Sequence, residues 1–192
     1  PKGAAALAEG LKGNSTLQSL DLERNDLGPE GGAALAEGLK GNSTLLSLDL
    51  YGNNIGAEGA SALAAILKET QITNLNLAGN QLCGVNHHDQ GTYTAEGITK
   101  LCEALKGSVV TSLNLRDNDL GPEGGAALAE GLKGNSTLQS LDLQSNGLGP
   151  KGAAALAEGL KGNSTLQSLD LENNDLTDET KQALQDAAGS SV

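Results

Sequence analysis

The stretch Leu17-Gln18-Ser19-Leu20-Asp21-Leu22-Glu23-Arg24-Asn25-Asp26-Leu27 decides the fold. Leu20 and Leu22 alternate with Ser19, Asp21 and Glu23, a period of two that predicts a short strand with one buried face. The frame it spells, LxxLxLxxNxL, recurs from Leu17, Leu45, Ile72, Val110, Leu138 and Leu166, at steps of 28, 27, 38, 28 and 28 residues. Predicted strands therefore lie near 19–23, 47–51, 74–78, 112–116, 140–144 and 168–172. The copies are nearly literal: residues 2–22 and 151–171 share all 21 letters, and 28–50 differ from 121–143 only at Leu46 against Gln139. Such a fixed period means stacked repeats.

Outward from each strand the period changes. Gly28-Pro29-Glu30 is a helix start, with Pro tolerated in the first turn and Glu favoured at the positive end of the helix dipole. Leu35 and Leu39, flanked by Ala34 and Ala36, form one apolar stripe, and Lys40-Gly41 closes the helix. Neither element can bury its apolar side alone, which predicts coils that stack with parallel strands. A helix is wider than the strand spacing of about 4.8 Å, so the stack bends with its strands inside. The fold class is thus α/β: a right-handed βα solenoid of six repeats over residues 1–192 as one domain, with a concave parallel sheet and convex helices. Asn25, Asn53, Asn80, Asn118, Asn146 and Asn174 recur at frame position nine, where a side-chain amide can serve both its own turn and the adjacent coil. They are expected to form a stacked hydrogen-bonded row.

Composition narrows the function. The net charge is −12, with 24 acidic and 12 basic residues, which argues against nucleic acid and anionic membranes as partners. There is no Phe, Trp or Met, and Tyr51 and Tyr93 are the only aromatic residues, so the core is aliphatic. No apolar run approaches the roughly 20 residues of a membrane helix, no secretory leader is visible, and the cytoplasm is the favoured compartment.

The six frames, with a helix in every coil of about 28 residues and phrases such as GPEGGAALAEGL, resemble the leucine-rich repeat superfamily. More narrowly they are similar to its ribonuclease-inhibitor type and to the C-terminal domains of NOD-like receptors. The resemblance covers residues 1–176 and implies a horseshoe segment that binds other macromolecules through variable concave residues, without naming the partner.

The frame puts positions three, five and seven on that concave face. Position five is Asp21, Asp49, Asn76, Asn114, Asp142 and Asp170; position seven includes Tyr51 and Arg116. The face is acidic at both ends and nearly neutral between, which predicts a basic protein or peptide as partner, with the two diverged central repeats around Tyr51, Asn76, Asn114 and Arg116 as the site. The rival readings are a structural solenoid, natural or consensus-engineered, without a dedicated ligand, and a regulatory partner of an enzyme, the latter by resemblance only. No catalytic constellation, cofactor motif or zinc spacing is present: the histidines are adjacent in one loop, and the glycine-rich phrase lacks the GK[ST] of a phosphate loop.

Residues 84–94 are an insertion, expected to protrude. Cys83, His87, His88, Asp89 and Cys102 are metal-capable types, and a solvated loop with ordinary histidines is the preferred reading. Cys102 falls where other coils carry Ala36 and Ala129, which predicts a small core residue; a Cys83–Cys102 disulfide is the alternative. The sequons at Asn14, Asn42, Asn135 and Asn163 read as one turn copied, ahead of glycosylation acceptors. Thr177 begins a more polar capping helix over 177–188, while Pro1-Lys2-Gly3 opens inside a helix without a cap. That leaves Leu7 and Leu11 on an open face and predicts either a longer array or end-to-end association.

Overall fold

The computed structural model describes residues 2–85, 88 and 90–188. Helices and strands alternate: α1 (Lys2–Leu11), β1 (Ser19–Asp21), α2 (Gly28–Leu39), β2 (Ser47–Asp49), α3 (Gly56–Leu67), β3 (Asn74–Asn76), α4 (Glu96–Leu105), β4 (Ser112–Asn114), α5 (Gly121–Leu132), β5 (Ser140–Asp142), α6 (Gly149–Leu160), β6 (Ser168–Asp170) and α7 (Asp178–Ala188). The strands form one parallel sheet in sequence order, with frame positions opposite one another, as in Leu20↔Leu48 and Leu113↔Leu141. This is the βα solenoid that the periodicity predicts, the helices lining its other side.

The core is a continuous leucine spine. Leu45, Leu48 and Leu50 from a strand segment meet Leu35 and Leu39 from a helix, all at most 1% exposed, and the same positions repeat along the stack. Helix glycines let the convex layer close up. A Cβ on Gly38 would lie 2.6 Å from the Ala8 backbone, and one on Gly131 would lie 2.7 Å from the Cys102 Cβ.

The asparagine row forms as expected. Asn53 Nδ2 donates back to Leu22 O and to its own turn at Leu50 O (2.8 and 3.0 Å), while its Oδ1 accepts the Asn25 N–H at 3.1 Å. The backbone N–H groups of Asn53, Asn80, Asn118 and Asn146 reach the next asparagine's Oδ1 at 2.9–3.1 Å. The sequon turns are a second ladder: Asn42 Oδ1 accepts the Thr44 and Leu45 N–H groups, and Nδ2 donates to Asn14 O at 3.0 Å. Asn135 repeats this arrangement, with Nδ2 on Leu105 O.

Several expectations change. Each strand has three residues instead of five, ending at frame position five, although backbone bonds between coils continue through positions six and eight, as in Leu22 N–H to Asp49 O and Arg24 N–H to Tyr51 O. Leu11 is 4% exposed, not open, because it joins the core from the last turn of α1, whereas Leu7 is only partly buried. The insertion, expected to protrude, folds back along its described residues. Val85 and Gly91 form an antiparallel bridge, Thr94 N–H donates to Cys83 O at 2.9 Å, and Tyr93 Oη donates to Leu120 O of the next coil at 2.7 Å. Both cysteines are buried free thiols, so the disulfide alternative fails.

Candidate interaction surface

Frame position five carries two jobs at once. In every coil its side-chain Oδ1 accepts the N–H two residues on: Asp21 from Glu23, Asp49 from Tyr51, Asn76 from Ala78, Asn114 from Arg116, Asp142 from Gln144 and Asp170 from Glu172, at 2.9–3.1 Å. That bond turns the chain out of the sheet, and it fixes the side chain on the open sheet face. Parallel register sets Asp21 opposite Asp49 and Asp142 opposite Asp170, like charges about 4.8 Å apart that cost some tenths of a kcal/mol. Between them Asn76 Nδ2 donates to Asp49 Oδ2 at 3.0 Å, which relieves the acidic row at its middle. A shallow dip of about 230 Å³ lies there, lined by Asp49, Asn74, Asn76, Ser112 and Asn114. Asn76 and Asn114 are thus brought together.

Tyr51 and Arg116 are not on that floor. With strands ending at position five, position seven falls on the rim. The Arg24 guanidinium stacks on the Tyr51 ring, 4.9 Å from its centroid, and donates to Tyr51 Oη at 3.3 Å. Arg116 Nε donates to Asp117 Oδ2 at 3.0 Å. Bonding to Tyr51 raises the Arg24 pKa, and bonding to Asp117 raises that of Arg116, so both remain cationic.

The rim also holds a feature that sequence reasoning missed. Positions eight and ten of every frame adopt left-handed backbone, from Arg24 (φ 53) and Asp26 (φ 51) to Asn173 (φ 56) and Asp175 (φ 53). Between these two rows runs a groove of about 670 Å³, lined by Arg24 and Tyr51 at one end and by Asp117, Asp119 and Asp175 further along. The signal was available in the alternation of Gly52, Gly79 and Gly147 with Asp, Asn and Ser at these positions, residue types that tolerate this conformation.

Among the described residues the insertion joins no group of three or more His, Cys, Asp or Glu that could hold a metal ion. His87 and Asp89 fall outside the described residues. Cys83 is fully buried and its thiol is pushed up to about 11 by desolvation; Cys102 is raised by the same cause. Tyr93 is also raised, first by burial and then by the neighbouring Cys83. Among the described residues no helix is long and apolar enough to cross a membrane.

The Leucine Rich repeat family model matches residues 13–36, 41–64, 108–129, 134–157 and 162–179, passing over the span that holds the insertion. No curated protein sequence matches. Among solved structures, leiomodin-1 actin-binding site 2 superposes with a TM-score of 0.57 at 18% identity, over 98% of this chain and 87% of that one. The tropomodulin C-terminal domain of Caenorhabditis elegans gives 0.57 at 14% identity, over 97% and 90%. The leucine-rich repeat-containing protein LegL7 from Legionella pneumophila gives 0.59 at 26% identity, over 96% of this chain and 58% of that one. At these identities the first two show shared fold alone. Six frames, a stacked parallel sheet, an asparagine ladder and the family match over most of the coils lead to one conclusion: the chain belongs to the leucine-rich repeat family.

Proposed function

We propose that this chain is a non-catalytic interaction module whose concave face binds a protein or peptide segment carrying basic side chains. The supporting observation is the position-five row. Asp21, Asp49, Asp142 and Asp170 are each held by a backbone N–H, so a cation meets preorganised carboxylates and relieves their mutual repulsion. Asn76 and Asn114 supply neutral hydrogen-bonding groups between the acidic ends, and Tyr51 and Arg116 flank them on the rim. The leiomodin-1 structure that shares this fold is an actin-binding site, which agrees with a protein as the partner here, and the kind of protein follows from this chain's own surface residues.

The test is Asp21, Asp49, Asp142 and Asp170 changed together to Asn, titrated with a deca-lysine peptide at several salt concentrations. Asn keeps the turn, because Asn76 and Asn114 make the same bond. Four solvent-accessible ion pairs at about 0.5 kcal/mol each amount to roughly a 30-fold loss of affinity, with a flatter salt dependence. Equal affinity in the quadruple variant removes the electrostatic reading.

End-to-end association through the N-terminal coil is a second reading. Leu7, Leu17, Leu20 and Leu22 are only partly buried, while the identical Leu156, Leu166, Leu169 and Leu171 are buried. Light scattering with rising concentration tests it, and a constant monomer mass counts against it.

A further inference from the structure

Every internal strand of this sheet offers the same backbone groups to its successor. In the fifth coil the Leu143 N–H donates to Asp170 O and the Ser145 N–H to Glu172 O, both at 2.9 Å. Gln139 O accepts from the Gln167 and Ser168 N–H groups at 2.8 and 3.0 Å. The equivalent groups of the sixth coil are Leu171 N–H, Asn173 N–H and Gln167 O, and no strand follows β6 among the described residues. Beside this edge α7 overhangs a groove of about 720 Å³. Leu169, Leu171 and Leu184 line its apolar side, and Asp170, Glu172 and Asp175 line its polar side against one lysine, Lys181. Leu169 and Leu171 keep 6% and 9% exposure where the equivalent Leu141 and Leu143 keep 1% and 0%.

We propose that this groove is a strand-addition site: it takes an extended segment of another polypeptide, alternating apolar and basic residues, that pairs in parallel with β6. The backbone groups set the pairing, since all five existing strand pairs are parallel and in register. The alternation follows from the period of two, which puts one set of side chains against the residual exposed surface of Leu169 and Leu171 and the other against Asp170 and Glu172. Three carboxylates around one lysine set the sign of the charge. A second copy of this chain fits poorly. Its β1 brings α1 with it, which would set α1 and α7 side by side where each internal step between strands holds one helix about 10 Å wide. The inference rests on the concave-face reading only for the basic character of the partner; the pairing is independent of it.

The experiment uses the isotope-labelled chain with three synthetic peptides: acetylated TLKKLKLK, its acidic counterpart TLEELELE, and the basic peptide N-methylated at alternate amides. At saturation the basic peptide slows hydrogen exchange at the Leu171 and Asn173 amides at least tenfold, and the acidic peptide leaves them unchanged. The N-methylated peptide binds about tenfold more weakly. Glu172→Lys, at an exposed position, weakens the basic peptide roughly fivefold. Unprotected Leu171 and Asn173 amides at saturation, or equal affinity of the N-methylated peptide, overturn the proposal. The variant Asp21→Asn, Asp49→Asn, Asp142→Asn keeps the two readings apart. If the concave reading alone fails, this variant binds unchanged with both amides protected; if strand addition alone fails, shifts gather around Asn76 and Asn114 instead.

Discussion

Replacing Asn118 with Ala should break the solenoid at its centre. Asn118 Oδ1 accepts the N–H groups of Asn80 at 2.9 Å and Leu82 at 3.3 Å. Its Nδ2 donates to Leu77 O and Leu115 O, both at 2.9 Å, and to Arg116 O at 3.1 Å. The residue is 0% exposed, so water cannot replace these partners. Stranding a buried donor costs about 1–3 kcal/mol, and with two donors and the carbonyls counted the loss comes to about 3–4 kcal/mol. Asn25→Ala is the control. Asn25 is exposed, and its Nδ2 bonds to Leu22 O and Glu23 O at 2.9 and 3.0 Å are accessible to water. Leu22 O keeps its bond from Asn53, so the control should cost about 1 kcal/mol or less. Urea unfolding followed by far-ultraviolet circular dichroism reads both, since the chain has no Trp. Because coils interact only with neighbours, the Asn118 variant should also split or broaden the transition as the two halves uncouple. Equal losses at Asn118 and Asn25, or a loss under about 1 kcal/mol at Asn118, would refute the claim that the ladder joins the coils.

Other outcomes follow from the same geometry. Gly38→Ala should destabilise by about 1–3 kcal/mol, because its Cβ would meet the Ala8 backbone, whereas Gly10→Ala, with nothing within 4 Å, should stabilise by about 0.5 kcal/mol through helix propensity; thermal melts of the pair read the opposite signs. Cys83 and Cys102 should resist thiol reagents in the native state and react fully in denaturant. Burial holds the Cys83 thiol protonated to about 11, so its share of stability is complete below the ordinary thiol pKa of 9.0 and is lost as pH rises from there toward 11. Urea midpoints across that range, compared with a Cys83→Ala variant, check the sign. Tyr93→Phe removes the bond to Leu120 O and should raise proteolysis within 84–94, with little change in global unfolding; unchanged cleavage would show that the bond does not tether the loop.

The solenoid was legible in the sequence because its signals are local and repeated. Two leucines on alternate residues set a strand, leucines four apart set a helix, and recurrence at one offset turns a single loop asparagine into a ladder. The candidate surface was legible only in part. Asp21, Asp49, Asn76, Asn114, Asp142 and Asp170 do line the open sheet face, but their second task, turning the chain through the i+2 N–H, is a matter of backbone direction that no composition reveals. Tyr51 and Arg116 moved to the rim because that turn comes two residues early.

The repeat unit, the stacking, the aliphatic core and the sign of the charge are readable from one chain, since each follows from spacing and counting along it. Tertiary structure alone decided the groove between the left-handed rows, the seat of Tyr93 on Leu120, the pairing of Arg24 with Tyr51 and the open edge of β6 beneath α7. The first three join residues from different coils, and the last sets the final helix over its own strand. Distances between coils are set by helix width against strand spacing and by where the glycines let backbones touch, quantities that exist only once the coils are packed.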